Sequence, residues 1–304
     1  MLTTSSGYIV RSCPSCGSGH GRTEVFSGRR AEDLPFENLR AMWTGFLRDK
    51  AFFSYARCAD CGLLFAPTFF TQEQLANLYA DMAPNMEVVS ERAIRATQRG
   101  YFDAIGAEKL IPGDYLEIGP DVGYIVRSAA DCGKFDHFWL FEPNLAVHPQ
   151  LAEATQGRAH TISSGMSELS IIPDKSISLA VMVHVLDHLL DPLAILRQVR
   201  TKLMPGGTLM IVTHNEKSLL RRLLGNRWPP FCLQHPALFS PESIARIVKA
   251  ASFSSVSVSR SRNYFPADFL VRQAIFMSGI KLNTVPIPSI PIGLKLGNII
   301  TVAS

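Results

Sequence analysis

Two pairs of cysteines have the spacing expected of metal ligands. Cys13 and Cys16 form one C-x-x-C pair, and Cys58 and Cys61 form a second. Four thiolates arranged in this way can close a tetrahedral zinc site with no open position, so the metal would be structural rather than catalytic. A glycine follows each second cysteine, and it lets the chain turn back because glycine adopts a positive φ without steric cost. Buried or redox-active thiols are the alternative interpretation, and the paired spacing favours zinc.

A glycine-bearing turn follows the first apolar strand of the C-terminal part. The chain runs Glu117-Ile118-Gly119-Pro120-Asp121-Val122-Gly123, and such a turn lets the backbone approach a ligand at the carboxyl edge of a parallel sheet. Glu142 ends the next strand about twenty-five residues later, where an acid can accept hydrogen bonds from both hydroxyls of a ribose. Turn and acid together indicate an adenosine-type ligand. The alternative is an ordinary strand-to-helix turn followed by a solvated strand end.

The elements that must position these residues alternate between strand and helix from Asp114 onward. Apolar stretches predict strands at Tyr115–Gly119, Phe138–Glu142, Ile177–Val185 and Thr208–Thr213, with helices between them, among them Pro192–Leu203. This alternation predicts an α/β fold with a parallel sheet that helices cover on both faces.

Further elements flank this region on both sides. Strands are predicted to enter and leave the second cysteine pair at residues 52–58 and 62–67, and helices to begin at Thr71 and to span Glu91–Lys109. Near the end, Val256–Ser259 and Gly297–Val302 are predicted strands, and the proline-rich stretch Val285–Gly293 is predicted to be a loop. The chain thus divides into a zinc-ribbon domain at residues 1–70, a helical linker or cover at 71–110, and a cofactor domain at 111–304.

The composition excludes several classes of protein. The chain has 304 residues, of which 47% are hydrophobic, a fraction typical of globular proteins and too high for disorder. Its net charge of +4 and the absence of any run of five basic residues argue against nucleic acid as a partner. Met1–Val10 lacks an apolar signal segment, and no stretch of about 18 apolar residues occurs, so we expect a cytoplasmic protein without a membrane span.

Four motifs in order resemble the class I S-adenosylmethionine-dependent methyltransferases. They are the segments Leu116–Gly123, Phe141–Asn144, His184–Pro192 and Leu203–Leu209. Residues 234–240, with Ile244 and Phe253, resemble the segment between the family's strands five and six. The resemblance covers roughly residues 110–304. It implies a doubly wound, mostly parallel, seven-stranded Rossmann-like sheet whose last strand, for which Ile299–Val302 is the candidate, runs antiparallel.

The N-terminal part is similar to zinc-ribbon methyltransferases that include sugar C-methyltransferases. The similarity is carried by Cys58-x-x-Cys61-Gly62-Leu63-Leu64-Phe65 and the helix that follows it. It implies that the acceptor is a small polar molecule, most plausibly a sugar or a nucleotide sugar. Carbon and oxygen both remain open as the acceptor atom, and the oligomeric state is not predicted.

The resemblance also implies a set of cofactor contacts. The expected contacts to S-adenosylmethionine are Glu117, Gly119, Pro120, Gly123, Tyr124, Glu142, Pro143, Ser167 and His184. Two positions depart from the family pattern. Asp121 replaces the middle glycine of the first motif, and Ser167 lies where an acid often binds the adenine amine.

Histidines supply the candidates for a general base. If the acceptor is a hydroxyl, a base must take its proton, and histidine suits this because its ordinary pKa lies near neutrality. His184, His188, His214 and His235 are all expected near the carboxyl edge of the sheet. Of these, His188 and His235 are the predicted catalytic residues. A structural histidine that braces a turn is the alternative at each position.

Two other functions remain open. One is an RNA methyltransferase whose zinc ribbon grips nucleic acid, although acidic residues are interspersed with the basic ones in residues 1–70. The other is a non-catalytic interaction protein that kept the fold and lost the cofactor. Asp121 motivates this second alternative, since its charge would lie near the cofactor's carboxylate.

Overall fold

The strands and helices follow the alternation that the sequence predicts. We describe them from a computed structural model, in which residues 2–4, 7–43, 50–80, 90–278 and 290–304 are described. The strands are β1 (Leu2–Thr3), β2 (Ile9–Val10), β3 (Gly21–Val25), β4 (Tyr55–Cys58), β5 (Leu64–Phe65), β6 (Thr68–Phe69), β7 (Gly113–Ile118), β8 (Phe135–Phe141), β9 (Ala159–Ser163), β10 (Ile177–Val183), β11 (Leu203–His214), β12 (Ala237–Leu238), β13 (Val256–Arg260), β14 (Asn263–Pro266), β15 (Pro291–Leu294) and β16 (Asn298–Ala303). The α-helices are α1 (Phe36–Arg40), α2 (Gln72–Ala80), α3 (Glu91–Asp103), α4 (Tyr124–Cys132), α5 (His148–Ala154), α6 (Pro192–Lys202), α7 (Leu219–Leu224), α8 (Pro241–Ala250) and α9 (Ala267–Ser278).

Seven strands form the central sheet, in the order β13-β16-β11-β10-β7-β8-β9. Strands β7 to β11 are parallel to one another, and β16 is antiparallel to both β11 and β13. The Rossmann-like fold class and the antiparallel last strand are therefore confirmed. The chain winds outward from β7 to β9 and then returns to β10 on the other side of β7. The crevice at such a switch point, at the carboxyl ends of the strands, is where open α/β sheets bind ligands.

Local sequence explains why these elements form. Six of the seven residues of β10 are buried, as expected for a parallel strand covered on both faces. Asp191 caps the N-terminus of α6, because its carboxylate accepts a hydrogen bond from the Ala194 amide. Thr71 precedes α2, and the Thr71 and Gln74 side chains each accept a hydrogen bond from the other's amide.

Three sequence predictions need correction. Strand β9 was missing from the prediction because it is a short edge strand with one buried residue in five, so it has no buried apolar run. The predicted loop Val285–Gly293 is wrong at its end, where β15 pairs with β14; proline is tolerated there because the ladder has only two strands. Residues 285–289 lie outside the described residues. The helix predicted to span Glu91–Lys109 ends at Asp103, before Gly106 with a φ of +78°.

The N-terminal part completes its sheet with a strand from the C-terminal part. The order of this second sheet is β12-β5-β4-β3, and β12 pairs antiparallel with β5. Aromatic side chains from both parts share one core, in which Phe231 stacks on Phe52 with ring centroids 5.5 Å apart. The division at residues 70 and 110 stays a prediction. Among helices in the described ranges, none combines the length and apolar character needed to cross a membrane.

Candidate functional site

The four cysteines of the N-terminal part lie together, and we call them the cysteine site. One sulfur from each of Cys13, Cys16, Cys58 and Cys61 lies within 4.8 Å of the others, and the Cys13–Cys61 and Cys16–Cys58 Sγ pairs are 3.4 and 3.5 Å apart. A tetrahedron with zinc–sulfur bonds of about 2.3 Å has sulfur–sulfur edges of about 3.8 Å. The sulfurs therefore fit zinc with small adjustments.

The backbone around the cysteine site suits thiolate ligands. Gly17 and Gly62 adopt φ values of +75° and +77°, and their amides donate to the carbonyls of Cys13 and Cys58. Burial raises the pKa of Cys13. Burial would also raise the pKa of Cys58, but hydrogen bonds from the amides of Cys61 and Asp60 outweigh it and lower this pKa to about 7. Since a metal binds the thiolate, these amides favour the ligating form of Cys58.

Glycines shape the turn between β7 and α4, residues 119–123, which we call the glycine turn. Gly119 and Gly123 have φ values of +70° and +80°, and Asp121 between them also adopts a left-handed φ of +51°. The packing around Gly119 and Gly123 is also tight. A Cβ on Gly119 would lie 2.5 Å from Val185 Cγ2, and one on Gly123 would lie 2.7 Å from the Ala154 Cβ. Both glycines are thus required by conformation and by packing.

Glu142 ties the glycine turn to the end of β8. Its Oε2 accepts a hydrogen bond of 2.8 Å from the Asp121 amide, and its Oε1 accepts one of 2.9 Å from the Asn144 amide. The side chain is 7% exposed, and burial raises its pKa although the two amides oppose the shift. A carboxylate has about four acceptor positions, so two remain for other donors. Burial, together with the charge of Glu142, raises the pKa of Asp121 to about 6.

The remaining predicted cofactor residues differ in burial and in their local contacts. Glu117 is buried, accepts a 2.5 Å hydrogen bond from the Tyr115 hydroxyl, and has a pKa raised to about 8 by burial. Tyr124 begins α4, with the Arg95 guanidinium 5.0 Å from its ring centroid. Pro120 is buried and Pro143 is exposed. Ser167 lies in the 3-10 helix Met166–Ile171, and its side chain falls outside the described part of the structure.

The four candidate histidines lie side by side at the carboxyl ends of β10 and β11, and we call them the histidine cluster. The ring centroids of His184 and His214 are 4.4 Å apart, those of His214 and His235 are 4.9 Å apart, and those of His235 and His188 are 4.6 Å apart. Residues far apart in the sequence therefore converge beside the glycine turn, because Val185 contacts Gly119.

Hydrogen bonds fix the orientation of His188 and His235. Nδ1 of His235 donates to the Pro230 carbonyl at 2.6 Å, and its Nε2 lies 3.1 Å from Nε2 of His188. Nδ1 of His188 lies 2.9 Å from the Tyr79 hydroxyl. Burial, reinforced by the charge of His235, lowers the pKa of His188 to about 3. Burial would lower the pKa of His235 too, but the Cys232 thiolate outweighs it and raises this pKa to about 9.

The other two histidines contact polar side chains for which the sequence predicted no role. Nδ1 of His214 lies 2.7 Å from Oδ2 of Asp187, which is fully buried. Nε2 of His184 lies 3.1 Å from the Asn298 side-chain amide, and burial lowers the pKa of His184 to about 3. Asp187 belongs to the same motif as His184 and His188, so its position was visible in the sequence. Asn298 became a partner only through the pairing of β16 with β11.

The chain belongs to a methyltransferase family. Residues 87–258, more than half of the chain, match the model of a family described as a methyltransferase domain. The carboxyl-edge site described above lies largely within this match. Among proteins with curated descriptions, none matches the chain significantly.

Several solved structures are similar to this chain. An S-adenosylmethionine-dependent methyltransferase from Thermotoga maritima, described as a possible histamine N-methyltransferase, is 18% identical over 70% of this chain and 89% of its own, with a TM-score of 0.46. An S-adenosylmethionine-dependent methyltransferase from Archaeoglobus fulgidus is 16% identical over 71% and 95%, with a TM-score of 0.48. Phosphoethanolamine N-methyltransferase 2 from Haemonchus contortus is 14% identical over 68% and 52%, with a TM-score of 0.43.

Proposed function

We propose that this protein transfers a methyl group from S-adenosylmethionine to a small polar acceptor. The observation that carries the proposal is the link between the glycine turn and Glu142 at the switch point of the sheet, next to the histidine cluster. In a methyltransferase-family fold, this arrangement supports a donor site and an acceptor site at one edge.

The donor site would use the residues around the glycine turn. S-adenosylmethionine, when bound, supplies a methyl group on a sulfonium centre. The two free acceptor positions of Glu142 suit the ribose hydroxyls, and the positive φ values of Gly119 and Gly123 shape the turn that would border the ligand. Glu117, Pro120, Tyr124, Pro143 and Ser167 are proposed as further contacts. Because a pKa near 8 keeps Glu117 protonated at neutral pH, it can donate a hydrogen bond there.

The acceptor site would lie against the histidine cluster. Methyl transfer mainly requires that donor and acceptor be held in line, and such orientation can contribute roughly 7–11 kcal/mol to lowering the barrier. His188 is the proposed group that receives the acceptor's proton, because its pKa of about 3 leaves it neutral at pH 7, whereas His235, with a pKa of about 9, already holds its proton. His235 and the Tyr79 hydroxyl each lie within 3.1 Å of the His188 ring and are proposed to hold it in place.

The finer proposal for the acceptor is a sugar or a nucleotide sugar. It is supported by the similarity of the N-terminal part to zinc-ribbon methyltransferases and by the many polar groups that line the histidine cluster. The cysteine site would hold a structural zinc ion, because four thiolates leave no coordination position for a substrate.

RNA is the less favoured acceptor. A groove beside the cysteine site includes Arg22 and Arg57, but Arg57 is paired with both Glu24 and Glu216. An arginine neutralised by two carboxylates offers little to a phosphate backbone. A filter-binding assay at low salt tests this alternative, which predicts retention of RNA that falls steeply as salt is added.

Calorimetry tests the proposed function. We expect heat of binding with both S-adenosylmethionine and S-adenosylhomocysteine, and at least a tenfold weaker affinity for Glu142→Gln, because an amide cannot accept from both hydroxyls as a carboxylate does. Glu153→Gln, an exposed change on α5, is the matched control and should bind like the wild type. No heat with either compound would contradict the proposal and would favour the non-catalytic alternative that Asp121 raises.

A further inference from the structure

We propose a second metal site, formed by His184, Asp187 and His214, that binds a divalent transition cation of the zinc or ferrous type. One ligand atom from each of these three residues lies within 4.8 Å of the others. The three residues come from the loop after β10 and from the last residue of β11, so the site lies at the carboxyl edge of the central sheet. It is separate in sequence and in space from the cysteine site.

Two polar atoms in this group have no partner that would explain their burial. Within the described ranges, Oδ1 of Asp187 and Nδ1 of His184 are buried and make no hydrogen bond. Asp187 is 0% exposed. A buried carboxylate oxygen without a partner is unfavourable because it has lost its hydration and gained no bond in return. A cation bonded to both atoms would remove that cost.

A neighbouring amide orients one of the ligands. Histidine ligands usually hydrogen-bond through their other ring nitrogen, which fixes the tautomer. Nε2 of His184 contacts the Asn298 side-chain amide at 3.1 Å. The Asn298 atom that faces Nε2 is the amide nitrogen, and a half-turn of this amide on metal binding would bring its oxygen there, so that Nε2 carries the ring proton and Nδ1 presents its lone pair to the cation.

The ligand types select the kind of cation. Two imidazoles and one carboxylate suit zinc or non-haem ferrous iron, whereas magnesium and calcium prefer oxygen ligands alone. Three protein ligands leave coordination positions open, which is the pattern of catalytic rather than structural sites. The His214 side chain is 22% exposed, so the site has a path for an outside ligand.

The position of this metal site suggests a class of acceptor. The inference about the acceptor rests on the proposed function, whereas the inference of the metal site does not. Val185, between His184 and Asp187 in the chain, contacts Gly119 of the glycine turn. An acceptor hydroxyl bound to the cation would therefore lie beside the donor site. Metal binding lowers the pKa of a coordinated oxygen, so the site suits acceptors that offer a hydroxyl for O-methylation.

Counting bound metal tests the proposal. The full-length chain, stripped with a chelator and reloaded with Zn²⁺ alone, should hold two equivalents by elemental mass spectrometry. Asp187→Asn and His214→Gln should each reduce this to one, while His160→Gln, which replaces an exposed histidine outside the cluster, should keep two. Reloading with Co²⁺ identifies the site that remains, because only cobalt in the cysteine site gives intense thiolate absorption bands.

The outcomes separate this proposal from the proposed function. A wild-type chain that binds one equivalent, or an Asp187→Asn chain that still binds two, would overturn the second site. Because Asp187→Asn could fail to fold, the wild-type titration against a chromophoric chelator counts the sites independently. Heat of binding with S-adenosylhomocysteine, together with a single metal, would contradict the second site and leave methyl transfer standing. Two bound metal ions without heat of binding would support the second metal site and contradict the proposed methyl transfer.

Discussion

At the scale of single residues, the glycine turn depends on backbone that only glycine adopts easily. Gly119 has a φ of +70°, and a Cβ there would lie 2.5 Å from Val185. The turn was predictable from the sequence because glycine is favoured where the backbone takes a positive φ. It also placed Asp121, which indeed takes a left-handed φ of +51°, a conformation that aspartate tolerates better than most residues.

We expect Gly119→Ala to destabilise the protein more than Gly157→Ala. Both substitutions place alanine at a positive φ, which costs about 1–2 kcal/mol. Gly157, at +76°, has no atom within 4 Å of the position that a Cβ would take, so it carries only that cost. Gly119→Ala adds a clash worth about 1–3 kcal/mol. Urea unfolding measures the difference, and equal losses for the two variants would mean that Val185 moves aside freely.

Glu117 should make stability depend on pH in a defined direction. Burial raises its pKa to about 8 from an ordinary value of 4.5, so the folded chain holds a proton that the unfolded chain releases. The resulting stabilisation is complete below the unfolded pKa and is lost as pH rises through the folded one. The slope is at most about 1.4 kcal/mol per pH unit.

The matched pair for this prediction is Glu117→Gln against Glu153→Gln. Glutamine does not titrate, so Glu117→Gln should flatten the fall in unfolding free energy between about pH 5 and pH 8. Glu153 is exposed on α5, and its substitution should keep the wild-type slope. Urea unfolding at several pH values within this range gives the slopes, and identical slopes for all three proteins would contradict a protonated Glu117.

At the scale of elements, one arginine joins β4 to the segment after β11. Arg57 donates to both carboxylate oxygens of Glu216, which is buried, and also to both oxygens of Glu24. These bonds raise the pKa of Arg57, although its burial opposes the shift. The pair connects the strand that carries Cys58 with the edge that carries the histidine cluster.

Arg57→Ala should destabilise the protein by about 2–4 kcal/mol. Removing one partner of a buried ion pair leaves the other charge without compensation, and the value is discounted here because Arg57 is 27% exposed. Arg99→Ala breaks an exposed pair with Asp103 within α3 and should cost less than about 0.5 kcal/mol. Thermal unfolding compares the two, and similar losses would show that the Arg57 pairs contribute no more than a surface pair.

Sequence patterns predicted strands well where both faces of the strand are buried and poorly at the edges of the sheets. The apolar run of β10 allowed its prediction, whereas the edge strand β9, with one buried residue in five, had no comparable signal. Strand β12 was also invisible, since two residues make no pattern and its pairing with β5 depends on tertiary structure. The four histidines were predicted at one edge from their positions after strands. Their hydrogen-bond partners Asn298, Cys232 and Tyr79 could not be predicted, because contacts with them depend on how the chain folds.

At the scale of the whole molecule, the N-terminal part and the sheet domain share a hydrophobic core. Trp228, Phe231 and Leu238 of the C-terminal part are buried among Phe52, Tyr55 and other aromatic residues of the N-terminal part. The Tyr55 hydroxyl also donates a 2.7 Å hydrogen bond to the carbonyl of His235. The N-terminal part therefore supports the segment that presents His235 to the histidine cluster.

We expect the zinc-loaded chain to unfold in one transition. Trp228 reports on the shared core and Trp139 on the central sheet, so tryptophan fluorescence and far-UV circular dichroism of the unmodified chain should give the same urea midpoint. Zinc removal should lower both midpoints together, because β4 carries Cys58 and pairs with β5, which pairs with β12. A separate, earlier transition in fluorescence would show that the two parts fold independently.

The most direct test of the central claim is a crystal structure of the chain soaked with S-adenosylhomocysteine. We predict the adenosyl group at the switch point between β7 and β10, with the ribose hydroxyls donating to Glu142 and the sulfur directed toward the histidine cluster. The Gly119–Gly123 backbone should border the ligand. A ligand bound elsewhere, or Glu142 turned away from the ribose, would contradict the account.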